Sequence, residues 1–345
     1  MSAIIGATLL YRSLRSKGSL LSWTLLGVVT CMSSIIFITE TSLFNLIFVS
    51  FALGASVGVG IPTCLAFFAD NANIDKRGRI GAILFFVVQL LTALIYIPIN
   101  GVSLEYKFLV LASWRFLGAV GIFFFYKPSK LSEERTTLLS SIIRERTFIF
   151  YFMPWFLFTL VNFIEAPLLE QFFGPQLFSD YMWAGNTIAS VSAFLGGTLC
   201  DLKGRKVASI LGFVLLGMGY ASLSLLPGAQ LSQILYVLLD GIAWGILYVT
   251  FIFVVWGDIS GGKIRERYYL LGGMPFLFSG LIEVLVRPFV EFIPIYTSFS
   301  LASFFLFLAI LPLLYAPETL PEKKIREREL KNYIEKAKKA KEKYA

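Results

Sequence analysis

The sequence predicts an all-α membrane protein whose chain crosses the bilayer about ten times. Three observations predict it: an apolar excess, apolar stretches of membrane-crossing length along the whole chain, and lysines and arginines confined to alternate loops. Of 345 residues, 57% are apolar, 16% aromatic and only 15% charged, where a soluble domain carries about 25% charged residues. A lipid-facing surface accounts for that excess. Histidine is absent, so the commonest metal ligand and the commonest general acid or base take no part in any mechanism. Cys31, Cys64 and Cys200 lie far apart in apolar surroundings, which fits reduced core residues and neither a disulfide framework nor a zinc site. No Gly-rich phosphate loop of the Walker type is present, which argues against ATP-driven pumping. No cofactor is expected.

Crossing about 30 Å of hydrocarbon takes about 20 helical residues. The segment from Ser2 to Leu10 is apolar but too short, and reads as the end of a helix. The basic cluster Arg12, Arg15 and Lys17 follows it, and then a first full stretch at 20 to 38. A second, at 44 to 68, leads to Lys76, Arg77 and Arg79. Stretches at 80 to 99 and 108 to 126 end in a charged segment with Lys127, Lys130, Arg135, Arg144 and Arg146. Two more, at 148 to 168 and 181 to 199, precede Lys203, Arg205 and Lys206, and the next two, at 207 to 226 and 232 to 256, precede Lys263, Arg265 and Arg267. The last pair, at 268 to 288 and 296 to 315, is followed by a tail with ten basic residues between Lys323 and Lys343.

If the stretches cross in turn, every basic cluster falls on one side, with only Lys107, Arg115 and Arg287 elsewhere. The positive-inside rule makes that side the cytoplasm, so the C-terminus is expected to be cytoplasmic and the protein a multi-pass protein of the cell membrane. The net charge of +8 then reflects topology, and no nucleic-acid partner is expected. Glu327 with Lys331 and Glu335 with Lys339 sit at i,i+4 spacing in the tail, as on a solvated helix beside anionic headgroups.

A repeat divides the chain. Gly54, Gly58, Asp70, Arg77 and Arg79 match Gly241, Gly245, Asp258, Arg265 and Arg267 at an offset of 187 to 188, and Gly6, Arg15 and Gly27 match Gly196, Arg205 and Gly217 at an offset of 190. The glycine pairs have small-xxx-small spacing, which lets helices approach closely. The repeat predicts two pseudo-symmetric helical bundles, 1–126 and 148–316, joined by a cytoplasmic linker at 127–147 and followed by a basic tail at 317–345. If the second half starts near Thr147, the offset places the start of the first about 40 residues before Met1. The first bundle is then expected to lack its first helix and most of its second.

The stretch from Gly196 to Lys206, GGTLCDLKGRK, resembles the signature loop of the major facilitator superfamily, with Gly197, Asp201, Lys203, Gly204, Arg205 and Lys206 in the expected places. GVGIPTCLAFFADNANIDKRGRIG resembles that family's fourth helix and the cytoplasmic loop after it, and PETLPE, from Pro317 to Glu322, resembles the sequence after its last helix. The resemblance covers the chain from about residue 44 to the tail. It implies two bundles of the major facilitator type and secondary transport by alternating access. The first-half loop, from Tyr11, keeps the positive charges without the acid and the glycine, and the stretch from Ile80 to Ile99 lacks the Gly-Pro signature of drug antiporters. In the family the signature loop packs against the opposite half. It would therefore place Asp201 near the helix start around Ile80 to Leu84, with Gly197 allowing close approach and Arg77 and Arg79 counted with the gating loop; the other reading is that Asp201 only balances Lys203, Arg205 and Lys206 locally. The matching start near Tyr268 to Gly272 would have no such cap.

An ionisable group inside a membrane helix costs several kcal/mol unless a partner or water meets it, so each is a functional candidate. Arg115 sits near the middle of its stretch and suits either an interhelical ion pair or an anionic group of the solute. Asn162 and Glu165 lie about one turn apart near the outer end of theirs. Asp240, just before Gly241, suits proton exchange, since desolvated carboxylates hold a proton more readily; a structural hydrogen bond is the other reading. Glu283 and Arg287, four residues apart, read as a local salt bridge. Gln89 and Asn186 are further cavity candidates, as lone amides that also tie helices together. The aromatic residues are too numerous to single out.

The best functional expectation is a monomeric secondary transporter of a small solute, with protons as the candidate coupling ion. A non-transporting truncated transporter or scaffold is the alternative. A membrane-embedded enzyme ranks below both, because no cluster of catalytic residue types occurs at the membrane surface.

Overall fold

The computed structural model describes residues 2–38, 42–127, 138–226, 228–261 and 263–320, together with Glu327 and Leu330. Residues 128–137 of the linker expected at 127–147, Lys130 and Arg135 among them, and the tail residues Lys331, Glu335 and Lys339 lie outside them. Two compact units form. One comprises Met1–Asn71, Val87–Leu139 and Ser260–Leu271, the other Ala72–Phe86, Ser140–Ile259 and Gly272–Ala345. Each unit therefore takes in one short segment from the far part of the sequence.

The first unit opens with α1 (Ser2–Thr8) and α2 (Tyr11–Leu14), followed by the long α3 (Lys17–Ile38). Ser42 starts α4 (Leu43–Gly58) by accepting the Asn45 N–H at 3.1 Å, which satisfies one of the free donors of the first turn. The helix stops near Gly58 because Pro62 has no N–H to give to a carbonyl four residues back, and α5 (Ile61–Asn71) begins again after a break. Then α6 (Arg77–Ile99) starts in the second unit and ends in the first, where α7 (Leu104–Phe125) packs along α3. Close approach rests on glycines. A Cβ on Gly6 would collide with the Val59 backbone, and one on Gly58 would strike Ser2.

In the second unit the short α8 (Leu139–Ile143) leads to α9 (Arg146–Phe173), which runs on through Pro154 and Pro167. Gly174, with φ +80°, turns the chain into α10 (Pro175–Lys203), and Gly204, with φ +105°, turns it again into α11 (Arg205–Leu225). Next, α12 (Gln230–Tyr248) runs through a π-helical segment, Val249–Val254, into α13 (Val255–Ile259). α14 (Arg265–Leu277) begins in the first unit and ends in the second, followed by α15 (Ser279–Val286), a 3-10 turn at Arg287–Phe292, α16 (Ile295–Leu308) and α17 (Ile310–Tyr315). Here too glycines set the spacing: Gly241 and Gly245 on α12 leave no room for a Cβ against Gly185, Ile188, Ala189 and Ser192 of α10, and Gly196 meets Ile246. These contacts repeat those of the first unit, with Gly196 and Ile246 standing where Gly6 and Val59 stand. The paired-glycine expectation fails at one place, since Gly54 has nothing within 4 Å of a built Cβ and only Gly58 packs.

Among the described residues nine segments are long and apolar enough to cross a membrane. The tenth stretch, expected at 181 to 199, lies inside the 29-residue α10. That helix would reach about 43 Å at about 1.5 Å per residue. Asn186, Thr187, Ser190, Ser192 and the glycines dilute its apolar content, so it differs from the others in composition and not in length.

The core of the second unit is aromatic. Trp155 stacks on Phe251 at 5.0 Å and on Phe158 at 5.1 Å, and Phe158 meets Trp244 edge-on at 4.9 Å. Trp155, Phe158, Phe213 and Phe251 are fully buried. Ring pairs in such offset and edge-to-face arrangements add about 0.5–1.5 kcal/mol each beyond their area.

Candidate functional site

Two groups of polar side chains need positioning: the charged loops at the helix ends, and the isolated groups within the helices. In the second unit Asp201, fully buried in the last turn of α10, accepts the Gly78 N–H at 2.9 Å, the Arg79 N–H at 3.0 Å and Arg79 Nε at 3.2 Å. It thus satisfies first-turn donors of α6 and opposes the positive end of that helix. Gly78 and Gly197 make this possible, because a Cβ on either would collide with the other's carbonyl. The helix starts at Arg77, slightly before the Ile80 to Leu84 expected from the sequence.

Arg205 is also sealed from solvent. Its guanidinium donates to Asp258 Oδ2 at 2.8 Å, the Cys200 carbonyl at 2.8 Å and the Ile74 carbonyl at 2.6 Å, and lies 3.8 Å from Asp201. Arg77 pairs with the other Asp258 oxygen. Two guanidinium groups therefore hold one carboxylate between them. Below them Glu318 accepts the backbone N–H groups of Arg205 at 2.8 Å and Lys206 at 3.1 Å, capping α11. Lys206 Nζ reaches the Leu314 carbonyl at 2.6 Å, and Lys203 is exposed.

The first unit repeats this wiring. Arg15 donates to both oxygens of Glu266, at 2.6 and 2.8 Å, and lies 3.2 Å from Asp70, which also pairs with Arg265. Arg15, Asp70 and Arg265 stand to one another as Arg205, Asp258 and Arg77 do. The difference is the acid. Leu10 and Tyr11 occupy the places of Cys200 and Asp201, and α14, which starts at Arg265 and not near Tyr268, carries its own first-turn acid, Glu266. Sequence reasoning missed Glu266 and Glu318. The signal for the first was an acid beside Arg265 where the other half has Gly78; for the second it was the PETLPE motif itself.

Within the helices, Arg115 sits midway along α7 with its guanidinium over the Trp23 ring, 5.2 Å from the centroid, and 3.4 Å from the Ser56 carbonyl. Among the described residues Arg115 forms no interhelical ion pair, the one reading expected for it; a cation–π contact and a backbone carbonyl hold the group instead. Gly27 gives it room, since a Cβ there would come within 3.1 Å of the guanidinium. Glu165 on α9 is 3% exposed and accepts a 2.5 Å hydrogen bond from Ser298 on α16, while its Oε2 has no partner. Asp240 is partly exposed, yet its Oδ1 is shielded and unpartnered. Gly185 of α10 faces it. Asn162 and Gln89 are half-buried and Asn186 is exposed. Glu283 pairs with Arg287 at 2.8 Å, and Arg287 also reaches Glu170 at 3.0 Å, a partner the sequence did not suggest. Arg287 is exposed and the two glutamates are half-buried. What the helices hold chemically is thus a buried carboxylate, Glu165, and a partly buried one, Asp240, in the second unit and a partly buried guanidinium, Arg115, in the first.

The sequence profile described as Major Facilitator Superfamily matches residues 2–259. No curated protein matches the sequence significantly. Among solved structures, the chain is similar to the human organic anion transporter MFSD10, with a TM-score of 0.69 and 14% identity over 90% of this chain and 81% of that one. It is similar to the Escherichia coli fucose:proton symporter FucP, with a TM-score of 0.69 and 14% identity over 92% of this chain and 87% of that one. The proton:xylose symporter XylE follows with a TM-score of 0.63 and 17% identity over 92% of this chain and 84% of that one. These likenesses carry the fold, and the profile match, over more than half of the chain, carries the family. The protein is a multi-pass membrane transporter and belongs to the Major Facilitator Superfamily.

Proposed function

We propose that this chain is a secondary active transporter that moves a small solute across the cell membrane by alternating access, with protons as the coupling ion. In this reading it works as a monomer with two transporter halves, 1–126 and 148–316, the linker at 127–147 and the tail from 317 to 345 lying in the cytoplasm. The observation that carries proton coupling is the pair of membrane-embedded carboxylates, Glu165 and Asp240, each with an oxygen that has no partner. An ionised carboxylate so placed is costly and a protonated one is not, so the groups are poised to bind and release protons as their access to water changes. Two of the structural neighbours are described as proton symporters of sugars, which supports the same mode of coupling. Arg115 is the proposed solute contact of the first unit. The loops around Asp201, Arg205, Arg77 and Arg79 are the proposed gate.

The test is uptake into proteoliposomes under an inward pH gradient, followed by an internal pH dye, with fucose, xylose and benzoate as solutes. Solute-dependent acidification is expected for at least one of them. Asp240→Asn should abolish the proton-driven component and leave solute exchange. Proton-driven uptake that survives this substitution excludes Asp240 as the carrier, and no solute-dependent flux in the unaltered chain overturns the transporter reading.

A further inference from the structure

The second unit contains more than two separate carboxylates. Between Glu165 on α9 and Asp240 on α12 lie two buried tyrosines, Tyr220 on α11 and Tyr236 on α12, with ring centroids 5.3 Å apart. Tyr220 is completely buried, and its hydroxyl, like Glu165 Oε2 and Asp240 Oδ1, has no hydrogen-bond partner. Three polar atoms without partners in one helical interior are costly to leave so. Their arrangement is ordered. Tyr236 and Asp240 lie four residues apart on α12 and so share one face of it, while the Tyr220 ring lies 6.2 Å from that of Phe299, the neighbour of the Ser298 that holds Glu165. The four groups therefore run in the sequence Glu165, Tyr220, Tyr236, Asp240. Burial is graded along the same line, since Asp240 alone is partly exposed and the other three are closed off. Around the two ends, Ser298 of α16 holds Glu165 Oε1, and Gly185 of α10 faces Asp240.

We propose that Tyr220 and Tyr236 form a proton relay between Asp240 and Glu165, so that these two carboxyl groups hold a single proton between them. A hydroxyl both accepts and donates. In the transfer the O–H bond of the Asp240 acid breaks as its proton passes to the Tyr236 oxygen, Tyr236 gives its own proton to Tyr220, and Tyr220 gives its own to Glu165 Oε2. Asp240 ends as a carboxylate and Glu165 as an acid, with both tyrosines neutral and one positive charge moved from Asp240 to Glu165. Any hop is direct or crosses one water. Asp240 is the port and Glu165 the sealed store, and Ser298 keeps one Glu165 oxygen occupied so that the other receives the proton. The inference rests on the proton-coupled reading above and assigns new roles to Tyr220, Tyr236 and Ser298.

The test uses the full chain in lipid nanodiscs and follows the carbonyl stretch of protonated carboxyl groups by infrared spectroscopy after a pH jump. Glu165→Gln and Asp240→Asn identify which band belongs to which residue. With the relay, Tyr220→Phe and Tyr236→Phe each slow protonation of Glu165 at least about tenfold, as expected when a positioned proton-transfer group is lost, while Asp240 protonates at its original rate. The phenylalanines keep the ring packing, and thermal unfolding verifies the fold. Glu165 protonating equally fast in both variants overturns the relay. So do two bands that each gain a full proton independently. Both results are read without transport, so a chain with an intact relay and no proton-driven uptake would overturn the proposed function and leave the relay standing.

Discussion

A guanidinium closed off from water must be met on every side, and Arg205 is met by one carboxylate, two carbonyls and the more distant Asp201. Removing one partner of such a buried set leaves the other charge unpaired, which costs about 3–5 kcal/mol. Arg205→Ala is therefore expected to destabilise the second unit by that amount, measured by chemical unfolding in detergent. Arg205→Lys keeps the charge but cannot reach Asp258, Cys200 and Ile74 together from one ammonium. It should recover only part of the loss, and full recovery would mean that charge alone matters. At this scale the sequence was legible where residue types were rare. Asp201, Arg205 and Asp258 stood out from an apolar background at motif spacing, and Glu165 and Asp240 stood out within helices. Tyr220, Tyr236 and Trp155 did not, because the chain has 15 tyrosines, 6 tryptophans and 34 phenylalanines and no local signal marks the few that converge from separate helices.

Two helices of equivalent place, α6 and α14, solve the same problem at their starts in different ways. Asp201 reaches α6 from the end of another helix and takes the Gly78 and Arg79 N–H groups, whereas Glu266 belongs to the first turn of α14 and is engaged by Arg15. Losing a helix-capping carboxylate costs about 0.5–2 kcal/mol. Asp201→Asn should therefore raise the hydrogen-exchange rates of the Gly78 and Arg79 amides several-fold while leaving the Arg265–Leu271 amides unchanged. Equal exchange at both helix starts would show that the cap contributes nothing. Gly197→Ala should weaken the same contact by about 1–3 kcal/mol through crowding against Gly78, read as a lowered unfolding midpoint. The repeat made these elements legible, since helix lengths and the glycine contacts Gly6 with Val59 and Gly196 with Ile246 follow the offsets in the sequence. What it could not give was the acid at α14, because the repeat places a glycine there, or the break between α4 and α5, which one proline decides within an otherwise continuous apolar run.

For the whole molecule, the physical constraint is that each apolar helix must be continuous through the bilayer while every basic cluster stays on the side that retains positive charge. The turns fall into two sets by composition. Lys76, Lys203 and Lys263 occupy turns rich in arginine and lysine, whereas the turns at Gly101, Gly174 and Gly228, each with a positive φ, carry no basic residue of their own. If the helices cross in turn, the two sets lie on opposite faces of the membrane. Single cysteines placed at Lys76, Lys203 and Lys263 in a background without Cys31, Cys64 and Cys200 are expected to react with a membrane-impermeant maleimide only in inside-out vesicles. Cysteines at Ser103, Pro175 and Ala229 should react only in intact cells. The second position carries the most weight in each set, because Lys203 and Pro175 bracket α10, the helix whose apolar content is lowest. If α10 did not cross, Lys203 and Pro175 would label from the same side, and every helix after it would be inverted relative to the positive charges that orient it.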